Sequence, residues 1–154
     1  MMNLARAFSP AAILVPLRAR DDDDALRQLV ERLVVATGLG DPDRIMQHLT
    51  EEAALRATLV GHGAAIVHTR LEALDTPVAA LGILAPGESL HLGTGLQFVV
   101  DVIFLVLSPL SPPEPHLELV SSIATLVRDP VQLNRLRAAA DAHDALAALA
   151  EFEW

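Results

Sequence analysis

The stretch VVDVIFLVL, residues 99–107, decides the fold because it is apolar at every position except Asp101. A strand that faces water on one side alternates apolar and polar residues, whereas a continuous apolar run is typical of a strand covered on both faces. The segment PVAALGIL, residues 77–84, has the same character. Two such strands predict an α/β sandwich, in which helices flank a central mixed β-sheet.

Helical patterns surround these strands. Residues 21–40 begin with four aspartates, carry apolar side chains at helical spacing and end in a glycine pair at Gly38 and Gly40, which predicts a capped helix. A second helix is predicted from Pro42, with Asp41 as its cap. With a first strand that starts at residue 11 and closes at Arg18, three strands in the middle and three helices at the end, the predicted order is β-α-α-β-β-β-α-α-α. The predicted later segments are strands at 64–69, 77–84 and 99–107, and helices at 116–129, 131–142 and 143–153.

Length and composition limit the class of protein. A chain of 154 residues fits one domain, 1–154, and 52% hydrophobic residues are enough for one core. A net charge of −9 and only 3% aromatic residues argue against a nucleic-acid partner, which requires a basic face. The apolar runs are far shorter than the roughly 20 residues of a membrane helix, so no membrane insertion is expected. The absence of cysteine is compatible with a reducing cytoplasm, and the oligomeric state is left open.

The segment TLVGHGAAIVHTR, residues 58–70, holds the first candidate site. His68 lies at the carboxyl end of the predicted strand 64–69, where ligand-binding groups of open α/β sheets gather. Gly61 and Gly63 allow close approach of the backbone to a bound group, and Thr58 and Thr69 could offer hydroxyls to an anion. The alternative is a structural histidine at a strand edge.

A second histidine follows the long apolar strand. His116 comes directly after Pro115 at the start of a predicted helix, where exposed N–H groups and the helix dipole favour anions. A capping or solvent-facing role is the alternative. Asp101 could orient a histidine or be a solvated carboxylate.

With these segments the chain resembles the enzyme IIA domains of the bacterial phosphoenolpyruvate-dependent phosphotransferase system, in the fructose, mannitol and nitrogen-regulatory class. Residues 57–68, ATLVGHGAAIVH, lie over the family pattern S-T-G-I-G-N-G-x-A-I-P-H, which ends in the phosphorylated histidine. The strand VVDVIFLVLSP is similar to the family's P-V-D-L-x-F strand, and PEPHLELVSSIATLVRDP to its H-L-x-x-L-x-x-L-A helix. The resemblance covers essentially the whole chain and implies the enzyme IIA fold of the mannitol and fructose type.

The resemblance also implies residue roles and partners. His68 would accept a phosphoryl group from the phosphohistidine of the carrier protein HPr, and His116 would stabilise it. The implied role is that of a phosphoryl carrier or regulatory domain, active in the cytoplasm, that serves a IIB domain or a regulated transporter or kinase. Binding residues are expected within the motif at the following positions: Thr58, Gly61, His62, Gly63 and Thr69.

The sequence departs from the family pattern at positions that bear on the chemistry. Val67 replaces the proline before the histidine, and His62 replaces the asparagine. Glu52 stands where the family has a phosphoryl-neutralising arginine, which reverses the local charge. Arg56 or Arg70 could supply the missing charge from a neighbouring position. These departures support a second hypothesis, a degenerate IIA-like module that regulates a partner by binding.

A third hypothesis is a histidine-based metal site. His62, His68 and His116 together with Glu52 would form a ligand set that suits zinc. The spacing of these residues does not fix the directions of their side chains. The enzyme IIA interpretation therefore expects neither a metal nor a cofactor.

Overall fold

The computed structural model describes residues 3–72, 74–92 and 98–152, with only the backbone described for 50–60 and Phe98. Within these residues the helices are α1 (Asp22–Thr37), α2 (Pro42–Arg56), α3 (Glu114–Arg128), α4 (Pro130–Arg137) and α5 (Ala142–Glu151). The strands are β1 (Phe8–Leu17), β2 (Ala57–Gly61), β3 (Ala64–Leu71), β4 (Val78–Leu84), β5 (Leu90–Leu92), β6 (Phe98–Val100) and β7 (Val102–Pro109). A short 3₁₀ helix, Leu4–Ala7, precedes β1.

The main sheet has five strands in the order β1-β4-β7-β3-β2, so β7 is central. Strand β3 runs parallel to β7 and β1 runs parallel to β4, whereas the β4–β7 and β2–β3 pairs are antiparallel. Strands β5 and β6 form a separate two-stranded antiparallel sheet. The predicted mixed sheet is confirmed.

The sheet has an apolar layer on each face, as the continuous apolar strands predict. All residues of β7 are buried. Ile103 and Leu105 pack with α1 and α2, while Phe104 and Val106 pack with α3 and α5 on the other face. Because side chains alternate between faces along a strand, each position of β3 or β7 belongs to one layer only. This rule determines which polar side chains can meet.

The helix ends follow the predicted capping pattern. Asp21 caps α1 by accepting the Asp24 N–H at 2.8 Å, and Gly38 ends this helix with φ 71°. The Asp24 carboxylate in turn accepts the Arg20 N–H, and this hydrogen bond lowers the Asp24 pKa. Asp41 accepts the Asp43 N–H at 3.0 Å at the start of α2, as predicted.

The predicted number of strands is wrong. Three strands were expected between the second and third helices, but the described residues there form six, β2 to β7. The run at 99–107 divides at Asp101, because the N–H groups of Asp101 and Val102 both donate to the carbonyl of Gly63. As a result β6 pairs with β5 and β7 continues in the main sheet. The residues before Gly61 form a further strand, β2, that pairs with β3.

Strand β1 lies at one edge of the main sheet and contains Pro10 and Pro16. Proline lacks an N–H donor and is found in sheets mainly at edges. The N-terminal segment is thus an edge strand, a position in which its two prolines are tolerated. None of the helices in the described parts of the chain has the length and apolarity that crossing a membrane would require.

Candidate functional site

His68 lies in the second half of β3, on the face covered by α3. Its neighbours two and four residues earlier, Ile66 and Ala64, pack in the same layer as Leu119 of α3. In the parallel ladder the Cα of His68 pairs with that of Val106. His68 is half-buried, so its imidazole is held by the sheet and still reaches the surface.

His116 lies over this position, in the first turn of α3. The helix begins at Glu114, two residues before the predicted start, and His116 is buried with 6% exposure. Its Nε2 is 3.2 Å from Nδ1 of His68, and the ring centroids are 5.1 Å apart. The two histidines, which are 48 residues apart in the chain, therefore form one pair.

Ser108 extends the pair into the core. Its Oγ is 2.6 Å from Nδ1 of His116, and the residue is fully buried. Ser108 has the same parity along β7 as Phe104 and Val106, which face the α3 layer. A chain of hydrogen bonds thus joins Ser108 Oγ, both nitrogens of His116, and Nδ1 of His68.

Arg70 brings a positive charge to the same end of the sheet. It lies two residues after His68 on the same face of β3, and its Cα pairs with that of Ser108. Its Nε donates to the carbonyl of Pro109 at 3.1 Å, and its Nη2 donates to the carbonyl of Leu110. The guanidinium is therefore fixed at the end of β7.

The glycine turn of the motif lies at the opposite end of β3. Gly61, His62 and Gly63 all have positive φ, at 101°, 58° and 84°. The guanidinium of Arg137, from α4, donates to both carboxylate oxygens of Asp101 at 2.9 Å and to the carbonyl of His62. A Cβ on Gly63 would lie 2.8 Å from both Arg137 Nη2 and Asp101 Oδ1. We call the four residues joined by these contacts, His62, Gly63, Asp101 and Arg137, the turn clamp.

The structure does not bring the turn clamp to the histidine pair. His68 lies four residue steps after Ala64 along the extended strand, a distance of about 13 Å. Gly61, His62 and Gly63 are therefore remote from the His68 ring. Asp101 pairs with Arg137 instead of orienting a histidine.

The two threonines of the motif have different positions. Thr69 is buried and has the opposite strand parity to His68, so it faces the α1–α2 layer. The Cα of Thr58 pairs with that of Ile66, while its side chain lies outside the described part of the structure.

Two of the departures from the family pattern lie near His68. Val67 is buried and pairs with Leu105 in the parallel ladder. The C-terminal end of α2 adjoins Ala57, whose Cα pairs with that of Val67, so this helix end is at the His68 end of the sheet. The side chains of Glu52 and Arg56, on the same helix, lie outside the described residues.

The proposed metal ligands do not assemble among the described residues. His62 belongs to the turn clamp, and no group of three or more His, Asp or Glu side chains in residues 3–49, 61–72, 74–92 and 99–152 could hold a metal ion.

Sequence reasoning missed Ser108 and Arg137. Ser108 ends an apolar run and reads as the start of a loop, although its parity with Phe104 and Val106 could have shown that it faces α3. Arg137 lies on an amphipathic helix, 36 residues from Asp101. Only the tertiary structure shows that this pair meets.

Comparisons with known proteins identify the family of this chain. The family model of the phosphoenolpyruvate-dependent sugar phosphotransferase system, EIIA 2, matches residues 6–152. The chain belongs to this family of enzyme IIA domains.

Several individual proteins are similar to this chain. A nitrogen regulatory protein of Bradyrhizobium diazoefficiens is 30% identical over 97% of this chain and 95% of its own length. The nitrogen regulatory protein IIA-Ntr from Neisseria meningitidis has a TM-score of 0.82 at 19% identity, covering 95% of this chain and 98% of that one. The IIA domain in the complex of enzyme IIAMtl with phosphorylated enzyme IIBMtl from Escherichia coli has a TM-score of 0.74 at 19% identity, covering 94% and 99%. This chain is thus an enzyme IIA domain with nitrogen-regulatory relatives.

Proposed function

We propose that this chain receives a phosphoryl group on Nε2 of His68 from the phosphohistidine of an HPr-like carrier protein. The observation that carries the proposal is the contact of 3.2 Å between His116 Nε2 and His68 Nδ1. Because Nδ1 is engaged with His116, the attacking atom is Nε2. Phosphoryl transfer depends mainly on such positioning, together with stabilisation of charge.

The step balances without a cofactor. The Nε2 lone pair of His68 attacks the phosphorus, a new N–P bond forms, and the N–P bond of the donor breaks with its electron pair returning to the donor imidazole. His68 keeps its proton on Nδ1, where it donates to Nε2 of His116. His116 therefore holds the orientation of the His68 ring before and after transfer.

Positive charge near His68 supports an incoming phosphoryl group. Arg70 is fixed on the same face of β3, two residues away, by its hydrogen bonds to the carbonyls of Pro109 and Leu110. The first turn of α3, which contains His116, adds the positive end of a helix dipole. We propose that Arg70 takes the charge-neutralising role that Glu52 cannot perform.

The surface around the pair fits a protein partner. Leu110 and Leu117 are 54% and 63% exposed, one residue after Pro109 and one after His116. Exposed Glu114 and Glu118 lie beside them on α3. An apolar patch with an acidic rim favours a partner with an apolar centre and basic surroundings. We propose HPr as the donor and a IIB domain or a regulated transporter or kinase as the acceptor, with the exchange in the cytoplasm.

A second candidate function has one observation in its favour. Glu52 replaces the family's arginine on α2, whose C-terminal end lies at the His68 end of the sheet. A carboxylate there would oppose a phosphoryl group. In that case the chain would be a binding module that regulates its partner without phosphoryl transfer.

Intact-protein mass spectrometry after incubation with phosphoenolpyruvate, enzyme I and HPr tests both candidates. Wild type is compared with His68→Ala, with Glu52→Arg and with His143→Ala, a control at an exposed histidine of α5. We expect one added phosphoryl group in wild type and in His143→Ala, and none in His68→Ala.

The remaining outcomes separate the two functions. Phosphorylation of Glu52→Arg but not of wild type would support the binding module. Wild-type phosphorylation that persists in His68→Ala would show that the acceptor is another residue.

A further inference from the structure

We propose that Arg70 links the phosphorylation state of His68 to the protein surface at Leu110. When His68 is phosphorylated, the guanidinium turns from the carbonyl of Leu110 to the phosphoryl oxygens, and the connection that begins at Leu110 is released. This inference rests on the proposed function and adds a means of regulation at the same site. The two states of the chain then present different surfaces to a partner.

In the unphosphorylated chain Arg70 is bound to neutral acceptors. The half-buried side chain donates from Nε to the carbonyl of Pro109 at 3.1 Å and from Nη2 to the carbonyl of Leu110. We call Arg70 and these two carbonyls the arginine strap. The ion pairs in the described part of the chain are made by other arginines: Arg20, Arg27, Arg135 and Arg137.

The arginine strap holds the start of the connection between β7 and α3. Residues 110–113 of this connection are exposed, and α3 begins without a hydrogen bond from an N-cap side chain. Leu110, at 54% exposure, belongs to the apolar surface proposed above for protein partners. Because Arg70 ties the carbonyl of Leu110 to β3, the strap affects how this side chain is presented.

A phosphoryl group on His68 comes within reach of the same guanidinium. His68 and Arg70 are two residues apart on one face of β3, so their Cα atoms are about 7 Å apart. A phosphoryl group adds about two negative charges and fits the planar fork of a guanidinium, whereas a carbonyl offers only a dipole. The carbonyl of Leu110 belongs to an exposed residue, so water can replace the guanidinium there. The exchange of partners is therefore favoured.

The exchange would make partner choice depend on phosphorylation. Coupling between two sites is reciprocal. A partner that binds the position of Leu110 held by the strap therefore prefers the unphosphorylated chain, and it also opposes phosphorylation of His68. A partner that binds the released position has the opposite preference.

NMR of the full chain, labelled with ¹³C and ¹⁵N, tests the exchange before and after phosphorylation. The carbonyl carbons of Pro109 and Leu110 are detected through the N–H groups of Leu110 and Ser111, and the Nε–H of Arg70 is followed in the same samples. Arg70→Gln is the key variant, because glutamine can donate to these carbonyls but carries no charge. Arg128→Gln, at an exposed arginine, is the control for net charge.

Two phosphoryl donors separate this inference from the proposed function. One is phospho-HPr. The other is phosphoramidate, a small donor whose N–P bond breaks as an imidazole nitrogen attacks the phosphorus and ammonia leaves. His68→Ala, treated in the same way, identifies signals that change because other histidines are modified.

In phosphorylated wild type we expect the carbonyl carbon of Leu110 and the Nε–H of Arg70 to shift. The ¹H–¹⁵N nuclear Overhauser effects of Leu110 and Ser111 should fall, because the connection is released. In phosphorylated Arg70→Gln the signals of Leu110 and Ser111 should stay close to their unphosphorylated positions. Arg128→Gln should respond as wild type does.

An equal response of Leu110 in wild type and in Arg70→Gln would overturn the proposal, as would unchanged signals in phosphorylated wild type. If phosphoramidate modifies His68 and phospho-HPr does not, the proposed donor is wrong, and the response of Leu110 still decides the role of Arg70. If neither donor modifies His68, both the proposed function and this inference are wrong.

Discussion

The two ends of strand β3 carry the two halves of one sequence motif and use them differently. At the start of β3, Gly63 lies against Asp101 and Arg137 with no room for a Cβ. Toward its end, His68 is half-buried and contacts His116. One end is occupied by a salt bridge between fixed groups, and the other carries a half-buried imidazole.

This difference separates stability from chemistry within a single strand. The turn clamp fixes the hairpin of β2 and β3 to α4 and to the start of β7, so its residues should affect unfolding. The histidine pair lies about 13 Å away along the strand, so its residues should affect transfer. Substitutions at each end can therefore test whether stability and transfer are separated in this way.

Gly63→Ala should have the largest effect on stability. The residue has φ 84°, and its Cβ would lie 2.8 Å from atoms of both Arg137 and Asp101. Strained backbone and a disturbed ion pair together predict a loss of about 3 kcal/mol in the free energy of unfolding. Urea denaturation measures it. Gly61→Ala, with φ 101° and nothing within 4 Å, is the control and should lose only about 1.5 kcal/mol. Equal losses would contradict the role of the clamp.

His116→Ala should have the largest effect on transfer after removal of His68 itself. The variant removes the ring that contacts Nδ1 of His68. We therefore expect the rate of phosphoryl transfer to be about 100-fold lower. Rapid-quench phosphorylation by phospho-HPr measures the rate, and circular dichroism checks that the fold is retained. His143→Ala, which removes an exposed histidine, should transfer at the wild-type rate. A wild-type rate in His116→Ala would remove this residue from the site.

The ion pair of the turn clamp should contribute about 1 kcal/mol of coupling, because its side chains are 29% and 33% exposed. A double-mutant cycle with Asp101→Asn and Arg137→Met measures it by denaturation. The pair of Arg27 and Asp43, 2.8 Å apart but 46% and 79% exposed, is the comparison and should couple more weakly, because solvent screens it more. If the coupling energy of Arg27 and Asp43 exceeded that of Asp101 and Arg137, partial burial would not strengthen the turn clamp.

Arg70→Gln should have the smallest effect, about a fivefold slower transfer, because its charge acts on the phosphoryl group from a neighbouring position at a solvated site. Glutamine still offers a donor to the carbonyls at the end of β7, so the unfolding energy should change little. Arg128→Gln, at the exposed C-terminal end of α3, is the control for net charge. Equal rates in both variants would show that Arg70 does not stabilise the phosphoryl group.

The sequence predicted the sandwich because continuous apolar strands need a helix layer on each face, and it predicted the caps of α1 and α2 from local residues. It did not predict the division of residues 99–107, since a long-range contact with Gly63 ends β6. His68 and His116 were candidates because of their places at a strand end and at a helix start, and the family pattern supplied their expected roles. The contact of Ser108 with His116 was not predicted, because it depends on how α3 packs on β7. Local patterns determine elements, whereas register determines which side chains meet.

The two prolines of β1 affect how copies of this chain behave toward each other. With 52% hydrophobic residues and several strands without polar positions, the chain risks adding a neighbour's strand to an open sheet edge. Pro10 and Pro16 each leave β1 with one N–H donor fewer. A foreign strand would therefore meet an incomplete ladder at β1. The prolines that interrupt the first apolar run thus make β1 a poorer template for strand addition than an edge strand with all its N–H donors.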